Sequence, residues 1–340
     1  MDIDLAATDW DRLNWTQLIP GQRQGHYESF YQRANHPTRP LAFWIRYTMF
    51  SPNNRPEAAI GELWSAIFDG ESGQHVVAKE EYPIAECEFA TRAFSARVKD
   101  SVLEPSSLKG QASSFGSTIS WNLRYSGDRP PLFLLPRTLY SGGFPKAKSL
   151  VRLPLARYDG SLTVNGRDID VTNWIGSQNH NWGKRHTDYY AFGQVAGFDD
   201  EPDSFLEIVT AKMTLVGSVT TPFLTMFVLR HGRREYVVTS ALEAVTKTKG
   251  SFRYFHWEFS ADTGEIQLDG RITATPEAFV ALNYYNPPGG VKQCLNTKIG
   301  ACELAFLDKA TGQRHVLRTK HRALFEILTD DRTHGIPVRA

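Results

Sequence analysis

From His26 to the last stretch of the chain, apolar and polar residues alternate in short runs: HYESFYQRAN, LAFWIRYTMF, IGELWSAIFDG, HVVAKEEYP, SSFGSTISWNLRYSG and many later ones. Gly, Pro, Asp or Ser punctuates each run, and helical periodicity is nearly absent. A two-residue period places successive side chains on opposite faces of a sheet. The chain is therefore expected to be all-β, with more than a dozen short antiparallel strands. One stretch breaks the style. SGGFPKAKSLVRLPLARYDG, residues 141–160, is rich in Gly, Pro and Lys and reads as a linker. It divides the chain into 1–150 and 151–340, two successive antiparallel barrels or sandwiches. Within the second part, Asn165-Gly166 between β-formers is the strongest short hairpin signal. No fixed-period repeat is visible.

Composition removes several function classes. With 340 residues, 41% of them hydrophobic, the chain can bury a sizeable core. Thirty-eight basic residues against 37 acidic ones give no electrostatic footprint for nucleic acid. Cys87, Cys294 and Cys302 include no CxxC pair, so neither a disulfide scaffold nor a structural zinc site is expected. A reducing, cytoplasmic setting suits them. The acidic N-terminus lacks the features of a secretory signal. No run nears the roughly 18 apolar residues of a transmembrane helix. The first twenty residues read as a lead-in pinned to the body by Trp10 and Trp15.

Polar chemistry is densest at Ser177–Gln194, SQNHNWGKRHTDYYAFGQ, read as a turn running into a strand at Asp188–Val195. So many donors and acceptors beside a Trp-Gly suggest the rim or floor of a ligand pocket. A second constellation comes from pairing LAFWIRYTMF with IGELWSAIFDG about Asn54. That pairing puts Arg46 opposite Glu62, on one face with Trp44 and Trp64.

The NWGKRHTDYYAFGQ stretch resembles a strand-turn motif of tocopherol cyclase-like proteins. NPPGGVKQCLNTKIGACELAF resembles their later Cys-containing segment. Across its length the chain is similar to the AttH/carotenoid 1,2-hydratase group. That resemblance implies two consecutive lipocalin-like β-barrels with few short helices. It also implies cyclisation, hydration or isomerisation of an isoprenoid- or polyketide-like hydrophobic molecule, with no cofactor.

Such chemistry needs a proton donor, aromatic faces for a developing cation and a dry cavity. His180, His186, Asp188, Tyr190 and Glu207 are candidates for the acid or its orienter. Trp182, Tyr189 and Phe192 can supply faces, and Asn179, Asn181 and Gln194 can anchor a head group. Arg46, Glu62, Trp64, Asn296, Lys298 and Glu303 complete the candidate pocket. Each has a plainer role available: Asn179 and Asn181 as turn formers, Trp182 as a barrel plug, Lys184 and Arg185 as solvated charges. The facing of Glu303 depends on register. His180, His186 and Asp188 match no zinc or iron spacing, so no metal is expected. No G-x-S-x-G elbow and no glycine-rich phosphate cradle occurs.

Three functions remain open. An enzyme would place an ionisable group with a shifted pKa deep in the cavity. A lipid-like carrier or sensor would keep its polar groups at the mouth. An interaction protein would have barrels filled with side chains. Oligomeric state is not legible.

Overall fold

The computed structural model describes residues 11–212, 214–216 and 219–340. Trp10 lies outside them. The first sheet contains β1 (His26–Asn35), β2 (Leu41–Ser51), β3 (Ile60–Asp69) and β4 (Val76–Pro83). Three short strands follow, β5 (Cys87–Phe89), β6 (Ala96–Val98) and β7 (Ser101–Leu103), then β8 (Ser107–Ser114), β9 (Ser117–Ser126) and β10 (Leu132–Phe133). Two long strands complete it, β11 (Ala147–Val164) and β12 (Arg167–Gly183).

The second part runs β13 (Tyr189–Ala196), β14 (Phe205–Lys212), β15 (Thr214–Val216), β16 (Val219–Thr220), β17 (Leu224–His231) and β18 (Arg234–Val238). A six-residue helix, α1 (Ala241–Thr246), is capped by the Ser240 hydroxyl. Then come β19 (Thr248–Arg253), β20 (His256–Asp262), β21 (Ile266–Thr273), β22 (Val280–Tyr285), β23 (Val291–Asp308) and β24 (Arg314–Thr329).

Both sheets follow one plan. The first is ordered β4-β3-β2-β1-β12-β11-β9-β8-β7-β6-β5 and the second β18-β17-β14-β13-β24-β23-β21-β20-β19. In each, the opening strand pairs with the closing strand, and a short extra strand, β10 or β22, pairs with the long penultimate one. The architecture is thus duplicated although the sequence is not. Both sheets are barrel-like, one nearly closed and the other a half-barrel. Among the described residues, no helix is long and apolar enough to cross a membrane.

Residues 141–160 are not a loose linker, since most of them belong to β11. Register shifts between Val151 and Leu153, Pro154 and Ala156, and Tyr158 and Gly160 interrupt its alternation, and Leu155 takes a positive φ of 57°. Bulges of this kind bend a long strand while preserving its pairing. The passage from first sheet to second falls at residues 184–188. At the tip of β11 and β12, Asn165 (φ 50°) and Gly166 (φ 82°) form the expected two-residue turn, which needs left-handed backbone at both positions.

The central strands are buried on both faces. From β1–β3, Phe30, Phe43, Ile45, Tyr47, Leu63 and Ile67 enter the core of the first barrel with Trp121, Tyr158 and Trp174. The alternate row, Tyr31, Trp44, Trp64 and Phe68, packs on Leu282, Tyr284, Cys294 and Leu328 of the second sheet. Phe192, Phe205 and Leu324 meet Leu132, Val151 and Ile175 in the same way. A layer therefore runs between the two sheets, here termed the seam. Burying a side chain of this size stabilises by roughly 1.5–3 kcal/mol, enough to hold the sheets together. At Gly176 the strands approach so closely that a Cβ would lie 1.8 Å from the Arg33 carbonyl oxygen.

Candidate functional site

Ser177–Gly183 is strand, not turn: it forms the end of β12, and the turn is confined to residues 184–188. Its polar residues therefore divide between two faces. Gln178, His180 and Trp182 point one way, and Ser177, Asn179 and Asn181 point into the seam.

On the first face, His180 stacks between Phe30 (4.2 Å) and Trp182 (4.5 Å). Its Nδ1 faces the Leu13 carbonyl oxygen at 2.8 Å and its Nε2 the Glu28 carboxylate at 2.8 Å. Glu28 also accepts from the Gln17 and Leu18 backbone N–H groups, from the Thr16 hydroxyl and from His26. Burial pushes its pKa up, but the hydrogen bonds from His180 and His26 and their nearby charges prevail, and the pKa falls to about 2. Gln178 and Asn14 exchange amide hydrogen bonds beside it. This cluster fastens residues 13–18 across the end of the first barrel. Trp182 packs there with Phe133, Tyr140 and Leu150. His180 and Trp182 are thus held in structural contacts away from the seam.

The seam side carries the other chemistry. Register aligns Trp64, Arg46, Tyr31 and Asn179 in one cross-strand row, and Glu62, Thr48, Ser29 and Asn181 in the next. Arg46 thus stands opposite Trp64 rather than Glu62. The pairing is offset by two residues, which keeps the expected common face. Lys79 takes Glu62 at 2.8 Å and also pairs with Glu81. The Arg46 guanidinium lies over Tyr284 at 4.6 Å and near the rings of Trp44 and Trp64.

From the second sheet, Glu207 and Gln194 are cross-strand partners, as are Phe192 and Glu326, and Glu326 and Asn296. Arg33 is fully buried and donates to the side chains of Gln194 (2.9 Å) and Asn35 (2.7 Å). Gln194 in turn donates to Asn179 and accepts from Ser177. Lys298 is fully buried, bonded to Asn296 and paired with Glu326 at 2.9 Å. Burial lowers its pKa, opposed by Glu326. Asn296 donates to the same carboxylate at 2.7 Å. Tyr31, Tyr190 and Tyr284 have pKa values raised far up by burial, so they stay neutral phenols.

Glu207 differs from all of these. It is buried, and its Oε1 accepts from the Ser149 hydroxyl at 3.1 Å. Its Oε2 has no hydrogen-bond partner among the described residues. Burial raises its pKa to about 8, against the lowering effects of Ser149 and Arg33, so it holds a proton at neutral pH. Arg46 Nε, Thr48 Oγ1, Trp64 Nε1 and Asn181 Oδ1 are likewise buried without partners. All four belong to the seam-facing rows of the first sheet.

Other residues named from the chain lie elsewhere. His186 sits at the seam rim, stacked on Tyr27 at 4.0 Å, with Nε2 facing the Tyr285 carbonyl oxygen. Burial and then Arg46 depress its pKa to about 3, so it is neutral. Asp188 is bound to Arg185. Tyr189 faces the second core beside Phe252. Glu303 lies on the outer face, paired with Arg271 and Arg318, and leaves the pocket set. Reading the chain missed Tyr31, Arg33, Glu28 and Glu326. Each stands in an ordinary alternating run, and only long-range pairing reveals its role.

Solved structures that share this architecture include the following two. One is a provisionally assigned AttH protein from Nitrosomonas europaea, with TM-score 0.56 and 13% identity over 92% of this chain and 98% of that one. The other is kievitone hydratase from Nectria haematococca, with TM-score 0.58 and 11% identity over 92% of this chain and 90% of that one. The chain has their lipocalin-like fold. At such identity the likeness concerns the fold alone. No family model matches the sequence, and no curated protein matches it.

Proposed function

We propose that the chain binds a largely apolar small molecule in the seam and protonates it from Glu207, opening a hydration, cyclisation or isomerisation. The observation that carries this reading is a buried carboxyl group whose Oε2 meets no partner among the described residues and whose pKa burial raises to about 8. In the proposed step the π electrons of an alkene form the new C–H bond, and the O–H electrons remain on Glu207. The cation left on the neighbouring carbon is stabilised by the rings of Tyr31, Tyr190 and Phe192. Addition of water, or loss of an adjacent proton, neutralises that cation and returns a proton to the carboxylate. Arg33, close enough to lower the Glu207 pKa, favours the ionised form after transfer. The name of one structural neighbour, a hydratase, supports the hydration branch.

A carrier that never reacts needs polar groups only where the ligand meets solvent. The burial of Glu207, Asn179 and Asn296 supports a reacting site over a carrier. The test starts with native mass spectrometry of freshly purified protein to identify a co-purifying molecule. Turnover of that molecule by Glu207→Gln is expected to fall by about two to four orders of magnitude, with binding retained. Full turnover by this variant would refute the acid role.

A further inference from the structure

The seam is unusual in its cations as well as its acid. Arg46 is more than nine-tenths buried and walled by Trp44, Trp64 and Tyr284. Its Nε meets no acceptor among the described residues. The nearby carboxylates are occupied elsewhere, Glu62 by Lys79 and Glu326 by Lys298. Arg33, the remaining seam arginine, is bonded to neutral amide groups. Among the described seam residues, with Glu207 protonated, Arg33, Arg46, Lys79 and Lys298 stand against Glu62, Glu81 and Glu326, one positive charge in excess. Glu62 and Glu326 lie close enough to favour the Arg46 charge against burial, but its buried Nε still lacks a hydrogen-bond acceptor, and a planar oxyanion is the partner that geometry suits. Thr48 Oγ1 and Trp64 Nε1, both without partners among the described residues, flank it in the same two rows. At the edge of the seam Lys79 lies over the Tyr285 ring and pairs with Glu81.

We propose that Arg46 binds an anionic oxygen, a carboxylate or phenolate, on the aromatic or apolar molecule that occupies the seam. The seam ligand is then a singly charged amphiphile and not a neutral hydrocarbon. This rests on the reading of the seam as a binding site and deepens it.

The test is calorimetric titration at pH 7 of the full-length protein with three probes: 2-naphthoate, the isosteric neutral 2-naphthylmethanol, and 4-nitrophenolate. The naphthoate is expected to bind about tenfold or more tighter than the alcohol, in line with a charge-assisted hydrogen bond. Comparison with 4-nitrophenolate shows whether carboxylate or phenolate is the better anion. Arg46→Met should abolish the preference, and Arg46→Lys should retain part of it. Equal binding of acid and alcohol by the unaltered protein overturns the inference while leaving the seam as a binding site. So does a preference that survives Arg46→Met in a folded variant. Failure of all three probes to bind overturns both the inference and the binding-site reading. The comparison between probes in the unaltered protein requires no variant to fold.

Discussion

Removing the charge-bearing oxygen of Glu207 gives a sharp test, because its protonation is linked to folding. The pKa is raised from 4.5 in the unfolded chain to about 8 in the native seam. Between these values the unfolded state has released its proton and the folded state has kept it, so stability falls as pH rises. The stabilising contribution is intact below pH 4.5 and is lost progressively up to about pH 8. At about 1.4 kcal/mol per unit, the loss reaches roughly 3 kcal/mol at pH 7. Glu207→Gln keeps the shape and cannot ionise. The variant should be more stable than the parent at pH 7 by up to roughly that amount, while the two converge near pH 5. Urea unfolding followed by tryptophan fluorescence at pH 5, 6, 7 and 8 measures the difference. Other titrating groups are common to both proteins and cancel in the comparison. A difference that stays flat across this range would show that Glu207 ionises normally in the folded protein, and the proton-donor role would fall with it.

Other substitutions probe different parts of the fold. Glu28→Gln leaves His180, His26 and the Gln17 and Leu18 amides without their anionic acceptor. It is expected to cost about 3–5 kcal/mol and to open residues 13–18 to limited proteolysis. For the unaltered protein, the depressed Glu28 pKa implies stability that is present above pH 4.5 and lost as pH falls toward 2, visible in an acid titration of the fold. Trp64→Phe should cost less than about 2 kcal/mol in denaturant unfolding, because the indole N–H has no partner among the described residues, whereas Trp64→Ala should cost about 3–5 kcal/mol.

The fold class was legible because a two-residue period leaves few alternatives, and Asn165-Gly166 announced its own turn. Other features were hidden for identifiable reasons. Pro154, Gly160 and the bulge at Leu155 disguise β11 as a linker. Asn179 and His180 look like turn residues because their partners, Gln194 for the first and Glu28 and Leu13 for the second, come from other elements of the chain. The same distance explains why one polar stretch was read as one pocket when β12 divides it between two environments. Glu207 was named from an alternating strand, and the structure puts it in the seam. Its distinction from Glu303, also on an alternating strand, comes entirely from register. Arg33 and Glu326 gave no local signal, since a charged residue in a strand ordinarily marks a solvated face.

The two sheets repeat one plan, yet the groups richest in chemistry belong to neither sheet alone. Arg46, Tyr31 and Asn181 come from one side, and Glu207, Glu326 and Lys298 from the other. Cargo lodged among them would act as mortar between two bricks. Occupancy would then be felt first as resistance to prying the halves apart, with each barrel's own interior little altered.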